Sequence, residues 1–241
     1  MTKWDIFWRS FHTNGGYQDV LDGLKTTVII AVVGLLLGIL IGTIIAVVKV
    51  TPQRNIGVKI LSKIADTYVA IFRGTPIMVQ LLIVYFVLFP VIGLTSSNLN
   101  LPIKEYRLIV AITVYGMNSG AYVSEIMRSG IQSVDVGQLE AGRTLGLSYG
   151  FSMLRVVIPQ AIKNILPTLG NEFIVLIKET SVVSFIAVVD VTKAFKSIAD
   201  SNYEYIVPYL MLGALYLVLV LIITAFIKLI ERRFAKSDRN R

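Results

Sequence analysis

The 241-residue sequence contains no cysteine and a single histidine, His12. Without thiols the chain has neither a disulfide framework nor a thiolate metal site. One histidine near the N-terminus is too few for a histidine-based zinc cluster or catalytic triad. No stretch matches the G-x-x-x-x-G-K-[ST] loop that cradles nucleotide phosphates. We therefore expect no metal site, no bound cofactor and no ATP hydrolysis on this chain.

Charged residues are also scarce, at 16% of the chain against about 25% in soluble domains. The apolar residues form long runs, and residues 28–48 and 206–227 include no charged side chain. Each run is long enough to cross a bilayer core, which takes about 20 residues of helix. The first run is too long for a signal peptide and lacks a cleavage pattern. The composition therefore predicts an all-α integral membrane protein.

Hydropathy predicts about five transmembrane helices. They cover residues 24–48, 64–92, 108–127, 166–189 and 205–230. The predicted organisation is an N-terminal segment on the outer surface (1–23), a transmembrane domain (24–230) with a long cytoplasmic loop (about 128–163), and a cytoplasmic tail (231–241). Aromatic residues at near-helical spacing in the first segment (Trp4, Phe7, Trp8 and Phe11) indicate a short interfacial helix. A disordered tail is the alternative.

Lysine and arginine are concentrated in three regions, which alternate along the chain with loops that contain fewer basic residues. These residues are Lys49, Arg54, Lys59 and Lys63; Arg128, Arg143, Arg155 and Lys163; and Arg232, Arg233, Lys236, Arg239 and Arg241. Because basic loops stay in the cytoplasm, the N-terminus is expected outside and the C-terminus inside. The net charge of +8 then indicates membrane orientation and contact with anionic lipid, not nucleic-acid binding.

Small residues recur every four positions in the first predicted span, at Gly34, Gly38 and Gly42. They lie on one helical face, where the missing side chains let another helix approach closely. This pattern predicts helix packing and does not indicate a catalytic or binding site.

Polar residues interrupt the three middle spans. The candidates for substrate contact are Arg73, Thr75, Tyr115, Asn118, Ser119, Tyr122, Glu125, Glu172, Lys178 and Thr180. A charge near the bilayer centre costs about 3 kcal/mol, so these groups should face protein or water. At about 100° per residue, positions 115, 118, 122 and 125 share one quarter of a helix, as expected of an aqueous path or a subunit seam. The alternative is that the charged members form interhelical ion pairs, for example with Lys178.

Pro76 should break the second span, because proline lacks a backbone donor and disfavours helical geometry at Thr75. Irregular backbone at membrane depth is tolerated only within protein or against a cavity. A carboxylate is the natural partner of a cation at such a break, so Arg73 is a candidate for substrate binding. The alternative is that Arg73 extends to the cytoplasmic interface.

The long loop predicts two short helices, one starting near Val136 and ended by Gly146, and a second starting near Tyr149. The alternative is a self-contained surface hairpin. Its residues resemble the Glu-Ala-Ala, three residues, Gly, nine residues, Ile-x-Leu-Pro signature of ABC-importer permeases. Glu140, Ala141, Gly146 and Pro159 match at the right spacing, while Gly142 stands in place of the last alanine, and Val156 and Ile158 are conservative replacements.

Three further stretches, residues 71–76, 118–126 and 170–181, resemble the polar amino acid permeases, which are similar to the glutamine, histidine and arginine import systems. The resemblance covers roughly residues 20–230, with Glu179 where relatives often have Asp. It implies the transmembrane domain of a type I importer, with five core helices. It also implies an identical or different second permease subunit, two ATP-binding subunits that use ATP and magnesium, and an extracytoplasmic binding protein. The loop with Glu140, Ala141, Gly142, Gly146 and Pro159 would then couple to the ATPase.

The substrate is expected to be a polar amino acid, with Arg73 on its carboxylate and Glu125, Asn118 or Glu172 on its amino group or side chain. The acidic residues Glu125, Glu172 and Glu179 favour a cationic side chain. Two other functions stay open from the residues alone. One is a secondary transporter driven by an ion gradient, whose sites also lie on broken helices; the other is a membrane anchoring subunit without a solute path.

Overall fold

The computed structural model describes residues 2–13, 15–52 and 55–239, with side chains of the last helix as far as Arg232. Within these ranges the chain is helical and contains no β-strand. The helices are α1 (Lys3–Trp8), α2 (Gly16–Val50), α3 (Ile56–Gly74), α4 (Ile77–Ile83), α5 (Phe89–Val91), α6 (Ile103–Gln132), α7 (Val136–Thr144), α8 (Tyr149–Ser152), α9 (Ile158–Glu179), α10 (Val191–Asn202) and α11 (Ile206–Arg239). Wider π turns occupy Arg9–Thr13, Val84–Leu88 and Met153–Val157, and a 3₁₀ turn occupies Thr180–Ile186. The predicted all-α class is confirmed; the basic residues Arg54 and Arg241 lie outside the described residues.

Two described helices are long and apolar enough to cross a membrane, α2 over Gly16–Val50 and α11 over Ile206–Arg232. The helices Ile56–Gly74 and Ile77–Val91 make a third candidate if they count as one span, bent by 107° at the break between them. α6 contains the predicted third span and α9 the first part of the predicted fourth, but their polar residues make both helices less apolar than α2 and α11. Length and composition therefore support two or three spans in the described chain, and the number of five stays a prediction.

The fourth predicted span differs from the observed helix at both ends. α9 begins at Ile158, eight residues earlier than expected, and its α-helical geometry stops at Glu179. A 3₁₀ turn follows and ends at Ala187 in the left-handed region, with φ of 58°. The buried Tyr115 hydroxyl donates to the carbonyl oxygen of Glu179, so a side chain from α6 satisfies a helix-end acceptor.

The glycines of α2 pack directly against α6. A Cβ atom at Gly38 would lie 2.6 Å from Ser119 Oγ, and one at Gly42 would lie 2.7 Å from Val123 Cγ1. Real Cβ atoms do not approach neighbours this closely, so only glycine fits at these positions. The predicted close approach of a second helix is confirmed, and α6 is that helix.

The N-terminal segment is helical and packs onto the rest of the chain. Thr2 and Asp5 form a capping box at the start of α1, and hydrogen bonds from Thr2 lower the pKa of Asp5. Phe7 is 1% exposed and belongs to a buried cluster with Phe195 of α10 and Val207 of α11. The predicted short helix is therefore confirmed over a disordered tail.

Candidate functional site

The break between α3 and α4 is held by two carboxamide side chains. α3 ends at Gly74, and Phe72 loses its usual intrahelical donor because the residue four positions on is Pro76. The Nε2 atom of Gln80 donates to the Phe72 carbonyl at 2.9 Å and to the carbonyl and hydroxyl of Thr75 at 3.0 and 2.9 Å. The Nδ2 atom of Asn118 donates to the same Phe72 carbonyl at 3.2 Å and to Gln80 Oε1 at 3.0 Å. Backbone groups freed by the break are thus satisfied within the protein.

Arg73 projects from this break to the surface of the chain. Its guanidinium carbon lies 5.3 Å from the centroid of the Tyr122 ring, a cation–π arrangement. Within the part of the chain that the structure describes, no acidic side chain forms an ion pair with Arg73. Thr75 and Tyr122 are also exposed here. The arrangement presents an uncompensated cation and an aromatic face on one surface, which suits an anionic group on a small polar molecule.

Glu125 lies in a different environment, a balanced ion-pair network. Its Oε1 atom is 2.7 Å from Lys49 Nζ, and its Oε2 atom is 2.7 Å from Arg128 Nη2. Lys49 also reaches Asp66 Oδ1 at 3.0 Å, so it bridges carboxylates of α3 and α6. The positive charges of Lys49 and Arg128 thus balance the negative charges of Asp66 and Glu125. The interhelical ion pair that the sequence left open is therefore formed, with Lys49 as its partner and not Lys178.

The remaining candidates are dispersed. Ser119 Oγ donates to Glu172 Oε1 at 3.0 Å, and both residues are buried between α6 and α9. Thr180 is buried and donates to the carbonyl of Ile177 at 2.8 Å. Lys178 is exposed on α9. Tyr115 is fully buried, so it does not line a surface as the shared helical face suggested.

The structure thus brings Arg73, Thr75, Asn118 and Tyr122 together. It also adds Gln80, which the sequence analysis did not select. A signal was available, because Gln80 is a polar residue in an apolar run directly after a helix-breaking proline. Asp66 was missed as well, and its position near the start of a predicted span gave little indication of a partner on α2.

The loop between α6 and α9 forms the predicted helix–turn–helix. Asp135 caps α7 by accepting from the Gly137 amide at 2.7 Å, and α7 begins at Val136 as expected. Gly146 has φ of 82°. Its amide donates to the Arg143 carbonyl at 2.9 Å, while the Leu147 amide donates to the Gly142 carbonyl at 3.2 Å. These two bonds make a Schellman ending, in which glycine is favoured at the left-handed position.

Gly142, which departs from the signature's alanine, lies against α8. A Cβ atom at Gly142 would lie 2.8 Å from Ser152 Oγ and 3.2 Å from Ser152 Cβ. The two short helices therefore pack too closely for alanine without a shift. Glu140, Ala141 and Pro159 are exposed on this loop, as is Leu145 at 81%. The exposed surface of the loop is therefore mixed, with apolar, acidic and basic side chains (Leu145, Glu140, Arg143 and Arg155).

Comparison with known proteins gives a family match over most of the chain. Residues 34–236 match the family described as "Binding-protein-dependent transport system inner membrane component". The arginine transport system permease protein ArtQ of Bacillus subtilis (strain 168) is 37% identical over 91% of this chain and 94% of its own length. The putative glutamine transport system permease protein GlnP of Rickettsia bellii (strain RML369-C) is 35% identical over 90% of this chain and 94% of its own length.

A solved structure of an amino acid ABC transporter with histidines matches the fold as well. It superimposes with a TM-score of 0.80 at 37% identity, covering 92% of this chain and 97% of that chain. The fold is therefore that of a type I importer permease.

Proposed function

Because this chain belongs to the family of binding-protein-dependent transport system inner membrane components, we propose that it moves a polar amino acid across the membrane past the α3–α4 break. It is a permease subunit and not an enzyme. The observation that carries the proposal is the uncompensated guanidinium of Arg73 over the Tyr122 ring, beside backbone that has left the helix. An exposed cation without an ion-pair partner in the described chain is available to a carboxylate.

The substrate class follows from what the site can bind. Every amino acid presents an α-carboxylate, which a guanidinium holds through two parallel hydrogen bonds. Thr75 lies close by and offers its hydroxyl oxygen to an ammonium group, whereas the buried Asn118 holds the backbone of the break. Relatives named for arginine and for glutamine support a polar amino acid, and we choose L-arginine and L-glutamine as probes. Glu172 and Lys178 stay as proposed contacts for the substrate side chain, whereas we assign Glu125 to the ion-pair network.

The proposed assembly places two permease subunits, identical or different, above two ATP-binding subunits that use ATP and magnesium. A binding protein delivers the amino acid from outside. In this arrangement about five helices of the chain cross the membrane, with the N-terminus outside and the C-terminus in the cytoplasm. The loop of α7 and α8 then faces the ATPase. Family membership favours this importer over a transporter driven by an ion gradient, and uptake that followed an ion gradient without ATP would contradict it.

The substrate site is tested by replacing Arg73 in the reconstituted permease–ATPase complex with its binding protein. Arg73→Ala should raise the half-saturating concentration for uptake about tenfold to a hundredfold, because hydrogen bonds to charged groups are worth about 1.5–3 kcal/mol. Arg73→Lys should restore part of the loss. Arg107→Ala is the matched control, since Arg107 also lies beside a tyrosine, with its Nε atom 3.2 Å from the Tyr85 hydroxyl. Unchanged half-saturation in Arg73→Ala would remove Arg73 from the site.

The coupling surface is tested by a glycine pair that differs only in backbone geometry. A Cβ atom at Gly146 or Gly150 would meet nothing within 4 Å, but only Gly146 has positive φ. Gly146→Ala should disturb the turn by about 1 kcal/mol and reduce both uptake and substrate-stimulated ATP hydrolysis. Gly150→Ala should leave both rates unchanged, and Glu140→Ala should reduce them with substrate binding retained. Normal transport in both Gly146→Ala and Glu140→Ala would contradict the assignment.

A further inference from the structure

We propose that Gln80 is a positioning residue for Arg73, because its carboxamide supplies the donor that Pro76 cannot and ties together the two flanks of the Arg73–Gly74 dipeptide. The inference deepens the proposed function and rests on the role given there to Arg73. Gln80 itself is 7% exposed, so it acts through the backbone and does not line the surface.

The hydrogen bonds of Gln80 lie on both sides of the residue that they would position. Its Nε2 atom reaches the carbonyl of Phe72, directly before Arg73, and the carbonyl and hydroxyl of Thr75, just after Gly74. A carboxamide nitrogen has two hydrogens, enough to serve both flanks. With both flanks held, the direction in which the Arg73 side chain leaves the backbone is fixed.

α6 completes the arrangement from the opposite side. Asn118 holds the Phe72 carbonyl and the Gln80 carboxamide, and Tyr122, one helical turn later, lies under the Arg73 guanidinium. One face of α6 therefore holds the Arg73 backbone through Asn118 and its side chain through Tyr122. The other bond from α3 to α6, from the Tyr68 hydroxyl to the Met117 carbonyl, lies one turn earlier in α3. It attaches the helix but does not orient the break.

The first test separates positioning from general stability. Gln80→Leu keeps much of the side-chain volume and removes the donor, while Gln80→Glu keeps the shape but presents a carboxylate that cannot donate when ionised. Both should raise the half-saturating concentration for L-arginine or L-glutamine uptake by about tenfold. The maximal rate per assembled complex should stay within about twofold, because the ATPase surface is untouched. Asn98→Asp is the matched control, since Asn98 Nδ2 also donates to a backbone carbonyl, that of Gly93 at 2.9 Å, in an exposed loop.

A double-mutant cycle gives the decisive comparison. If Gln80 acts through Arg73, Arg73→Ala added to Gln80→Leu should cost little more than Arg73→Ala alone, since interacting residues are not additive. Independent structural damage would make the two losses multiply, which would overturn the proposal. If Arg73→Ala alone has no effect, the proposed substrate site fails; if Arg73→Ala acts and the Gln80 variants do not, only this inference fails.

Cysteine alkylation at the break tests the role of Gln80 without any substrate, and so applies even if neither L-arginine nor L-glutamine is transported. The chain has no cysteine, and a Cβ atom at Gly74 meets nothing within 4 Å, so Gly74→Cys places a single thiol in the break. Its alkylation rate in the assembled complex should change several-fold when Gln80→Leu or Gln80→Glu is added, and should not change with Asn98→Asp. An unchanged rate in both Gln80 variants would overturn the inference, as would a changed rate with unchanged half-saturation for a transported substrate.

Discussion

Two charged groups within predicted spans, Arg73 and Glu125, look alike in the sequence and are opposite in the structure. Glu125 is surrounded by its own counter-charges, with Lys49 and Arg128 both at 2.7 Å. Arg73 has an aromatic ring beneath it and no carboxylate partner among the described residues. Charge that is balanced inside the chain serves the fold, whereas charge left unbalanced beside a broken helix is available to a ligand.

The same contrast separates stability from affinity. Removing one member of a balanced network leaves an uncompensated charge, which costs stability. Removing a cation that has no internal partner should lower the free energy of unfolding only slightly but should weaken ligand binding strongly. Three substitutions test this division through the free energy of unfolding, measured by thermal denaturation of the purified complex.

The largest loss is expected for Lys49→Met. Lys49 bridges Asp66 and Glu125 with a side chain only 15% exposed, so its removal leaves Asp66 without its cation and Glu125 with Arg128 alone, at a cost of about 2 kcal/mol, between the values for exposed and buried pairs. Lys196→Met is the control, because the Lys196–Asp200 pair is as short, at 2.6 Å, but exposed at 47% and 42%, and solvent-exposed pairs contribute little to stability. Equal losses in the two variants would mean that Lys49 has no special structural role. Adding Glu125→Gln to Lys49→Met should recover part of the stability.

A smaller loss is expected for Asp66→Asn. The Asp66 side chain is 58% exposed, and Lys49 keeps its bond to Glu125, so the cost should be about 1 kcal/mol or less. The difference from wild type should shrink in about 1 M salt, where the screening length is about 3 Å. A loss of stability as large as that of Lys49→Met, or one that does not change with salt, would contradict the interpretation of the Lys49–Asp66 ion pair as partly exposed to solvent.

The smallest loss is expected for Arg73→Met. Without an ion pair to break, the substitution removes a surface cation–π contact worth about 0.5–1 kcal/mol. L-Arginine or L-glutamine at the half-saturating concentration of the wild-type complex should raise its melting temperature and leave that of the variant nearly unchanged, since ligand binding stabilises only the form that binds and the variant should bind about tenfold to a hundredfold more weakly. A large loss of stability in the absence of ligand would mean that Arg73 has a structural role and would argue against a role in substrate binding.

The helix–turn–helix between α6 and α9 could be predicted because its signals are local. Asp135, Gly146 and the serine before Tyr149 each act within a few residues, so spacing along the chain is sufficient to place them. The close packing of another helix on α2 was predicted for a similar reason, since three glycines at one spacing mark one face whatever helix covers it; that the covering helix is α6 comes from the structure.

The rest of the site depends on contacts between distant parts of the chain. Glu125 is joined to Lys49 across 76 residues, and Tyr115 reaches the end of α9 across 64. Helical periodicity placed Tyr115, Asn118, Tyr122 and Glu125 on one face but could not show what covers that face. Only the fold determines that Tyr115 is buried, that Asn118 holds a backbone and that Tyr122 remains open.

The glycine contacts between α2 and α6 limit how the transporter can move. With Cβ atoms excluded at Gly38 and Gly42, the two backbones are too close to slide past one another without a steric clash. We expect the two helices to move together when the transporter changes shape. α3, whose buried residues are Ser62, Ala65 and Val69, is the more loosely packed neighbour, so the relative movement is expected between α3 and the α2–α6 pair.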